Sequence, residues 1–212
     1  MRGRICPARL LRLTSGALFL LAGFTCQAAA AEPQLLGRTR RQWSAQLAAD
    51  GLPRKSQAAW AIGQFATEQI EPGNAQEWLD VLGALAASDD SAVRYWGVQG
   101  LARSLPKLDA KDAARAAGIQ VLIPLLKDPA AGPRLAAAEA VAQLGEPDQG
   151  LPVLVAALSS PQEAVRIQAI ASLERLGPAA QPAEAQIRAA TSDASEYVKR
   201  ISTRALKNLS RQ

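Results

Sequence analysis

Residues 159–177 read Ser-Ser-Pro-Gln-Glu-Ala-Val-Arg-Ile-Gln-Ala-Ile-Ala-Ser-Leu-Glu-Arg-Leu-Gly. A polar turn leads into a basic residue, Arg166. Apolar or small residues follow at three, four, seven and ten positions: Ala169, Ile170, Leu173 and Leu176. That spacing places them on one face of a helix. Gly177 stands where a helix C-terminus favours glycine. Residues 128–145 repeat the grammar, with Arg134 followed by Ala137, Ala138, Val141 and Leu144 and closed by Gly145.

Working outward, the basic residue and an aliphatic residue seven positions later recur as Lys55 with Ile62, Arg94 with Leu101, Arg134 with Val141, Arg166 with Leu173, and Lys199 with Leu206. The steps are 39, 40, 32 and 33 residues. Self-similarity at that period signals a solenoid. Before each basic residue lies an apolar helical run, such as Trp78 to Leu85, and then a turn rich in Asp or Ser: Asp50, Asp89-Asp90, Asp128, Ser159-Ser160, Ser192-Asp193. These side chains cap helices by accepting backbone N–H bonds. Strand signals are nearly absent. The one apolar run that tempts, Leu151 to Leu158, carries Pro152 near its start and Ala156-Ala157 inside, which favour helix. The fold expected is all-α, a right-handed α-solenoid of about five helix pairs. Trp43 and Trp78 fall at apolar positions of first helices and read as core.

The N-terminus is different in kind. Arg2, Arg4, Arg9 and Arg12 precede an apolar stretch from Leu13 to Phe24, and Ala28 to Ala31 are all small. This is the pattern of a secretory signal peptide over residues 1–31, cleaved near Ala30 or Ala31, with residues 32–212 as the mature domain. These twelve residues from Leu13 to Phe24, apolar apart from Thr14 and Ser15, fall short of the ~30 Å hydrocarbon core at ~1.5 Å each, so no stable membrane span is expected. Gly23-Phe24-Thr25 before Cys26 is a poor lipidation signal because Phe24 is bulky. The expected address is periplasmic or secreted.

Composition then limits the chemistry. The chain has no histidine, and its two cysteines, Cys6 and Cys26, lie in the leader. Acid–base, nucleophilic and metal catalysis usually draw on His, Cys or clustered carboxylates. Only carboxylates remain, and the densest pair, Asp89-Asp90, stands at a helix entrance where acids complement the dipole. No enzyme activity, cofactor or metal is expected. Four of the 24 Lys and Arg but none of the 19 Asp and Glu fall in residues 1–31, which leaves the remainder at a net charge of +1. Nucleic-acid binding needs clustered cations on the folded domain, so no nucleic-acid partner is expected.

The sequence Asp, a few residues, Val-Arg, then Ala-Ala-x-Ala-Leu-Gly resembles HEAT repeats of the short bacterial kind. Residues 86–105, 128–145 and 159–177 match best, and the resemblance extends over about residues 40–210 with weaker end copies, as expected of caps. The order Val93-Arg94-Tyr95-Trp96, the Arg134 and Arg166 copies, Gly177-Pro178-Ala179-Ala180-Gln181-Pro182, then Tyr197-Val198-Lys199-Arg200 is similar to the accessory C-terminal HEAT module of exported bacterial sulfatases. The sulfatase nucleophile motif, Cys or Ser-x-Pro-x-Arg, is absent. The resemblance implies that Lys55, Arg94, Arg134, Arg166 and Lys199 form a structural ladder, paired with turn acids of their own or neighbouring copies. It also implies that second helices line a concave side. Residues one, five and nine positions after each ladder residue would then form a partner surface, chiefly Trp60, Tyr95, Gln99, Arg103, Leu135, Glu139, Ile167, Arg175, Arg200 and Arg204. The expected function is an exported protein-interaction scaffold, assisting a secreted hydrolase such as a sulfatase. A carboxylate-based hydrolase or lyase and a purely structural envelope protein stay open as alternatives.

Overall fold

A computed structural model describes residues 32–48 and 52–209. Residues 1–31, the expected signal peptide, lie outside the described residues, as does Asp50. By packing, the chain divides into Met1–Glu32 and Pro33–Gln212, and the latter holds every element described.

Ten α-helices form five pairs among the described residues. The first helices are α1 (Arg40–Leu47), α3 (Ala75–Ala86), α5 (Ala113–Leu122), α7 (Pro147–Ala157) and α9 (Glu184–Ala189). The second helices are α2 (Leu52–Gln69), α4 (Ser91–Ser104), α6 (Ala131–Gln143), α8 (Glu163–Leu176) and α10 (Glu196–Leu209). Each second helix packs on the next, α2 on α4, α4 on α6, α6 on α8 and α8 on α10. The molecule is an all-α solenoid. The step from Arg94 to Arg134 is lengthened by a 3-10 turn at Leu105–Lys107 and the turn that follows it, and α5 runs on as 3-10 helix through Ile123–Lys127; the step from Lys55 to Arg94 holds most of α2, which has 18 residues.

Local chemistry sets the boundaries. Asp90 caps α4 by accepting the Ala92 and Val93 N–H groups at 2.8 and 3.4 Å. Asp112 does the same for α5 through Ala114 at 2.8 Å. Gly145 and Gly177 end α6 and α8 at φ of 109° and 53°, a region in which a Cβ is strained. The expected core face is buried: Ala137, Ala138, Val141, Ala169, Ile170 and Leu173 are wholly inaccessible. Trp43 and Trp78 are buried as well, and the guanidiniums of Arg38 and Arg40 stand 4.9 and 5.0 Å from their ring centres.

Two features depart from the sequence reading. A small antiparallel hairpin precedes α1, pairing Gln34–Leu35 with Arg38–Thr39. Its two-residue turn, Leu36-Gly37, has φ of 50° and 73°, the signs of a type I′ turn. The Trp43 indole N–H donates to the Leu35 carbonyl at 3.1 Å and docks the hairpin on α1. A strand pair of two residues each leaves no period to detect, and Leu36 is an unusual turn residue. The second departure is Leu135, expected on the partner surface but fully buried. It packs with Leu151, Leu154, Ile170 and Leu173 in the C-terminal half of the core. An aliphatic side chain at this position of a mid-stack helix gains about 1.5–3 kcal/mol by entering the seam between repeats rather than facing water.

Candidate functional site

The basic ladder is built by a recurring arrangement. Arg94 donates from Nη1 to the carbonyls of Ser88 and Asp89, six and five residues upstream, at 2.9 and 3.0 Å. Arg134 donates likewise to Asp128 and Pro129 at 2.6 and 3.2 Å, and Arg166 to Ser160 and Pro161 at 2.9 and 3.4 Å. The own turn thus supplies carbonyls. The carboxylate comes from the turn of the next copy: Arg94 grips Asp128 at 2.7 and 2.9 Å, and Arg166 grips Asp193 at 2.8 and 3.0 Å. Both pairs are bidentate and largely shielded from water. The Arg94 hydrogen bond, reinforced by the Ala130 N–H, holds the Asp128 carboxyl below the usual carboxylate range. Arg166 and the Ser195 N–H do the same for Asp193. Lys199 pairs with Glu196 within its own helix at 2.7 Å.

The surface stripe is more open. Tyr95, Gln99, Arg103, Glu139, Gln143 and Arg175 line a groove of about 810 Å³, with Pro106 and small residues of α6 between them. It runs over α4, α6 and α8. Glu139 is its organising acid. Its two oxygens accept Arg175 Nε and Nη2 at 2.6 and 2.5 Å, and Oε2 also accepts the Ser172 hydroxyl at 2.7 Å. Arg175 is more than half exposed, while Glu139 is mostly covered. Toward α2, a shallower recess of about 310 Å³ is lined by Ser56, Gln57, Trp60 and Trp96. A narrow slot bordered by Trp60, Trp96, Gln99 and Arg103 adjoins it, and Gln99 and Arg103 line the large groove too. The Tyr95 ring meets Trp96 edge to face, 5.1 Å between centres and 74° between planes.

The structure therefore brings Trp60, Tyr95, Gln99, Arg103, Glu139 and Arg175 along one surface of second helices. Leu135 is removed from it by burial. Ile167 is half-buried against the same core region. Arg204 lies farther along, ion-paired with Glu174, and Arg200 lies over the exposed Tyr197 ring at 5.2 Å. Trp96 is the residue the one–five–nine spacing missed. It stands two positions after Arg94 and reaches the recess from the flank of α4. Its signal was size, since a half-exposed indole beside Tyr95 seldom serves only the core. Asp90, the acid that a catalytic reading would need, spends one oxygen on capping α4. Among the described residues, no helix is long and apolar enough to cross a membrane.

Residues 119–209 match the family model for HEAT repeats. The match runs from within α5 to the end of α10. No curated protein matches the chain. Among solved structures, an engineered protein aligns with a TM-score of 0.54 and 21% identity, over 80% of this chain and 78% of its own. The complex of CpcE and CpcF of phycocyanin lyase from Nostoc sp. PCC7120 aligns with a TM-score of 0.56 and 19% identity, over 87% of this chain and 68% of that one. At such identities the likeness shows the fold.

Proposed function

We propose that this chain is a protein-interaction module that binds its partner along the groove of the second helices, without catalysis of its own. The groove itself carries this reading: side chains from α4, α6 and α8 form one recess of about 810 Å³, continued by an aromatic ledge on α2 and α4. Half-exposed Trp and Tyr beside Arg are the residue types that anchor interfaces. A repeat stack suits such a role because its curvature presents an extended surface to a partner.

The proposal includes an address. Residues 1–31 act as a signal peptide and the mature protein, beginning near Glu32, works in the periplasm or outside the cell. The basic start, the short apolar run and the alanines at 28–31 support this. Within that setting the partner is a secreted hydrolase, and the order of motifs from Val93 to Arg200 favours a sulfatase. Photo-crosslinkers placed at Gln99 and Gln143, followed by mass spectrometry of the exported fraction, test both points. Adducts to one secreted hydrolase support the reading; adducts to none reject it. An intact mass that retains residues 1–25 rejects the address, and a lipid on Cys26 rejects cleavage near Ala30 or Ala31 and an unlipidated mature protein.

A further inference from the structure

The charges of the groove point to the chemistry of its occupant. Along the outward stripe of α4 to α10 stand four arginines, Arg103, Arg175, Arg200 and Arg204, against the two glutamates Glu139 and Glu174. Each glutamate is already engaged, Glu139 with Arg175 and Glu174 with Arg204. Among the described residues Arg103 and Arg200 show no ion pair; Arg200 lies over the Tyr197 ring, whereas the Arg103 guanidinium donates to the neutral Gln64 Oε1, at a long 3.3 Å. It is exposed and lies at the junction, lining both the large groove and the slot beside Trp60 and Trp96.

Resting on the interaction reading above, we infer that the groove takes an extended, acidic peptide segment of the partner, with a carboxylate on Arg103 and an apolar or aromatic side chain on the Trp60–Trp96 ledge. An arginine fork bound only by an amide gains a strong, planar, charge-assisted contact when a carboxylate replaces it. A cationic segment would meet the surplus of arginines, with both glutamates already occupied. An aromatic or aliphatic side chain on the ledge covers apolar ring surface that water now touches. Trp96 and Arg103 stand seven residues apart on α4, about 10 Å at ~1.5 Å of rise per residue, and an extended chain advances ~3.3 Å per residue. The two anchors of the ligand are therefore about three residues apart in sequence.

Serine-based peptides of nine residues, blocked at both ends, test the inference by fluorescence anisotropy at ~0.15 M salt. One carries a phenylalanine and three glutamates with a Phe-x-x-Glu spacing; a second has lysines for glutamates; a third has serine for phenylalanine. The first binds at least tenfold more tightly than either of the others. Arg103→Glu removes that preference or reverses it, Arg103→Lys keeps most of it, and Trp60→Leu, which preserves apolar bulk in the core, weakens the first peptide but not the third. Equal binding of the lysine peptide, no effect of Arg103→Glu, or no binding of any peptide overturns the inference. Crosslinks from Gln99 and Gln143 to a secreted hydrolase, combined with any of those results, leave the interaction reading standing and remove only the acidic segment.

Discussion

In the copies of Arg94, Arg134, Arg166 and Lys199 the residue six positions before the ladder residue shapes the turn, and in two of these four it also holds an arginine. Ser88, Asp128, Ser160 and Asp193 each accept the backbone N–H two residues on, from Asp90, Ala130, Gln162 and Ser195. In the aspartate copies the second oxygen also binds the arginine of the previous repeat; in the serine copies no second oxygen exists. Ser160→Asp should therefore keep the turn and add a carboxylate facing Arg134. The gain expected is about 0.5–1 kcal/mol, read from the urea midpoint of folding. No gain would mean that Arg134 is fully satisfied by its two carbonyls. Asp128→Asn keeps the turn bond to the Ala130 N–H and loses the charge, and should cost about 1–3 kcal/mol. The acid dependence has a defined sign. Asp128 and Asp193 are held below their unfolded value of 3.8, so their stabilisation is complete above about pH 4 and is lost as pH falls through the folded values. Denaturation midpoints measured between about pH 6 and pH 3 should fall less steeply for Asp128→Asn than for the parent. A parallel fall would show that other carboxylates carry the effect.

At the scale of helices, periodicity read well and close approach did not. Val141 and Leu173 announced the buried face because aliphatic residues recur at helical spacing, and Gly145 and Gly177 announced the ends. The carboxylate partners of Arg94 and Arg166 were harder to see. They come from 34 and 27 residues downstream, across a stack whose repeats differ in length. Leu135 and Trp96 were misplaced or missed because a fixed one–five–nine rule ignores how each helix is rotated against its neighbours. Glycines inside helices gave no hint of their purpose. At Gly97 an added Cβ would stand 2.5 Å from the Ala86 nitrogen and 2.8 Å from the Leu85 carbonyl carbon. The absence of a side chain there lets α4 cross the end of α3 at backbone contact. Gly97→Ala, although it raises helix propensity, should destabilise by about 2–3 kcal/mol, because backbone rather than a flexible side chain must move. A change at Gly83, where only a Val121 methyl lies near the site at 3.9 Å, should be neutral or stabilising. Thermal melting of the two variants separates packing from propensity; equal behaviour would reject the close-approach account.

At the scale of the whole molecule, the described residues form one stack of helices but two groups of buried side chains, and α6 belongs to both. Ala136, Ala137, Ala140, Val141 and Leu144 face the N-terminal group, whereas Leu135, Ala138 and Ala142 face the C-terminal group. At the join between the third and fourth pairs the ladder has Ser160 in place of an aspartate, so the seam is held on the groove side instead, by Glu139 with Ser172 and Arg175. The main contacts join neighbouring repeats, so stability should be largely a sum of local terms coupled through α6. Leu173→Asp places a negative charge in the C-terminal group, among apolar side chains that offer it no cation, and costs several kcal/mol. The expected result is uneven. Amides of α7, α8 and α10 should lose protection in hydrogen exchange by several hundredfold or more, while those of α2 and α4 keep much of theirs. A uniform loss across all ten helices would show that α6 transmits the full destabilisation and that the stack unfolds as one unit. Unchanged protection of α8 would show that Leu173 does not face the core. An uneven pattern would also bear on binding. The groove spans both halves, with Arg103 in one and Arg175 in the other, so a ligand seated across it should raise protection on both sides of α6 at once.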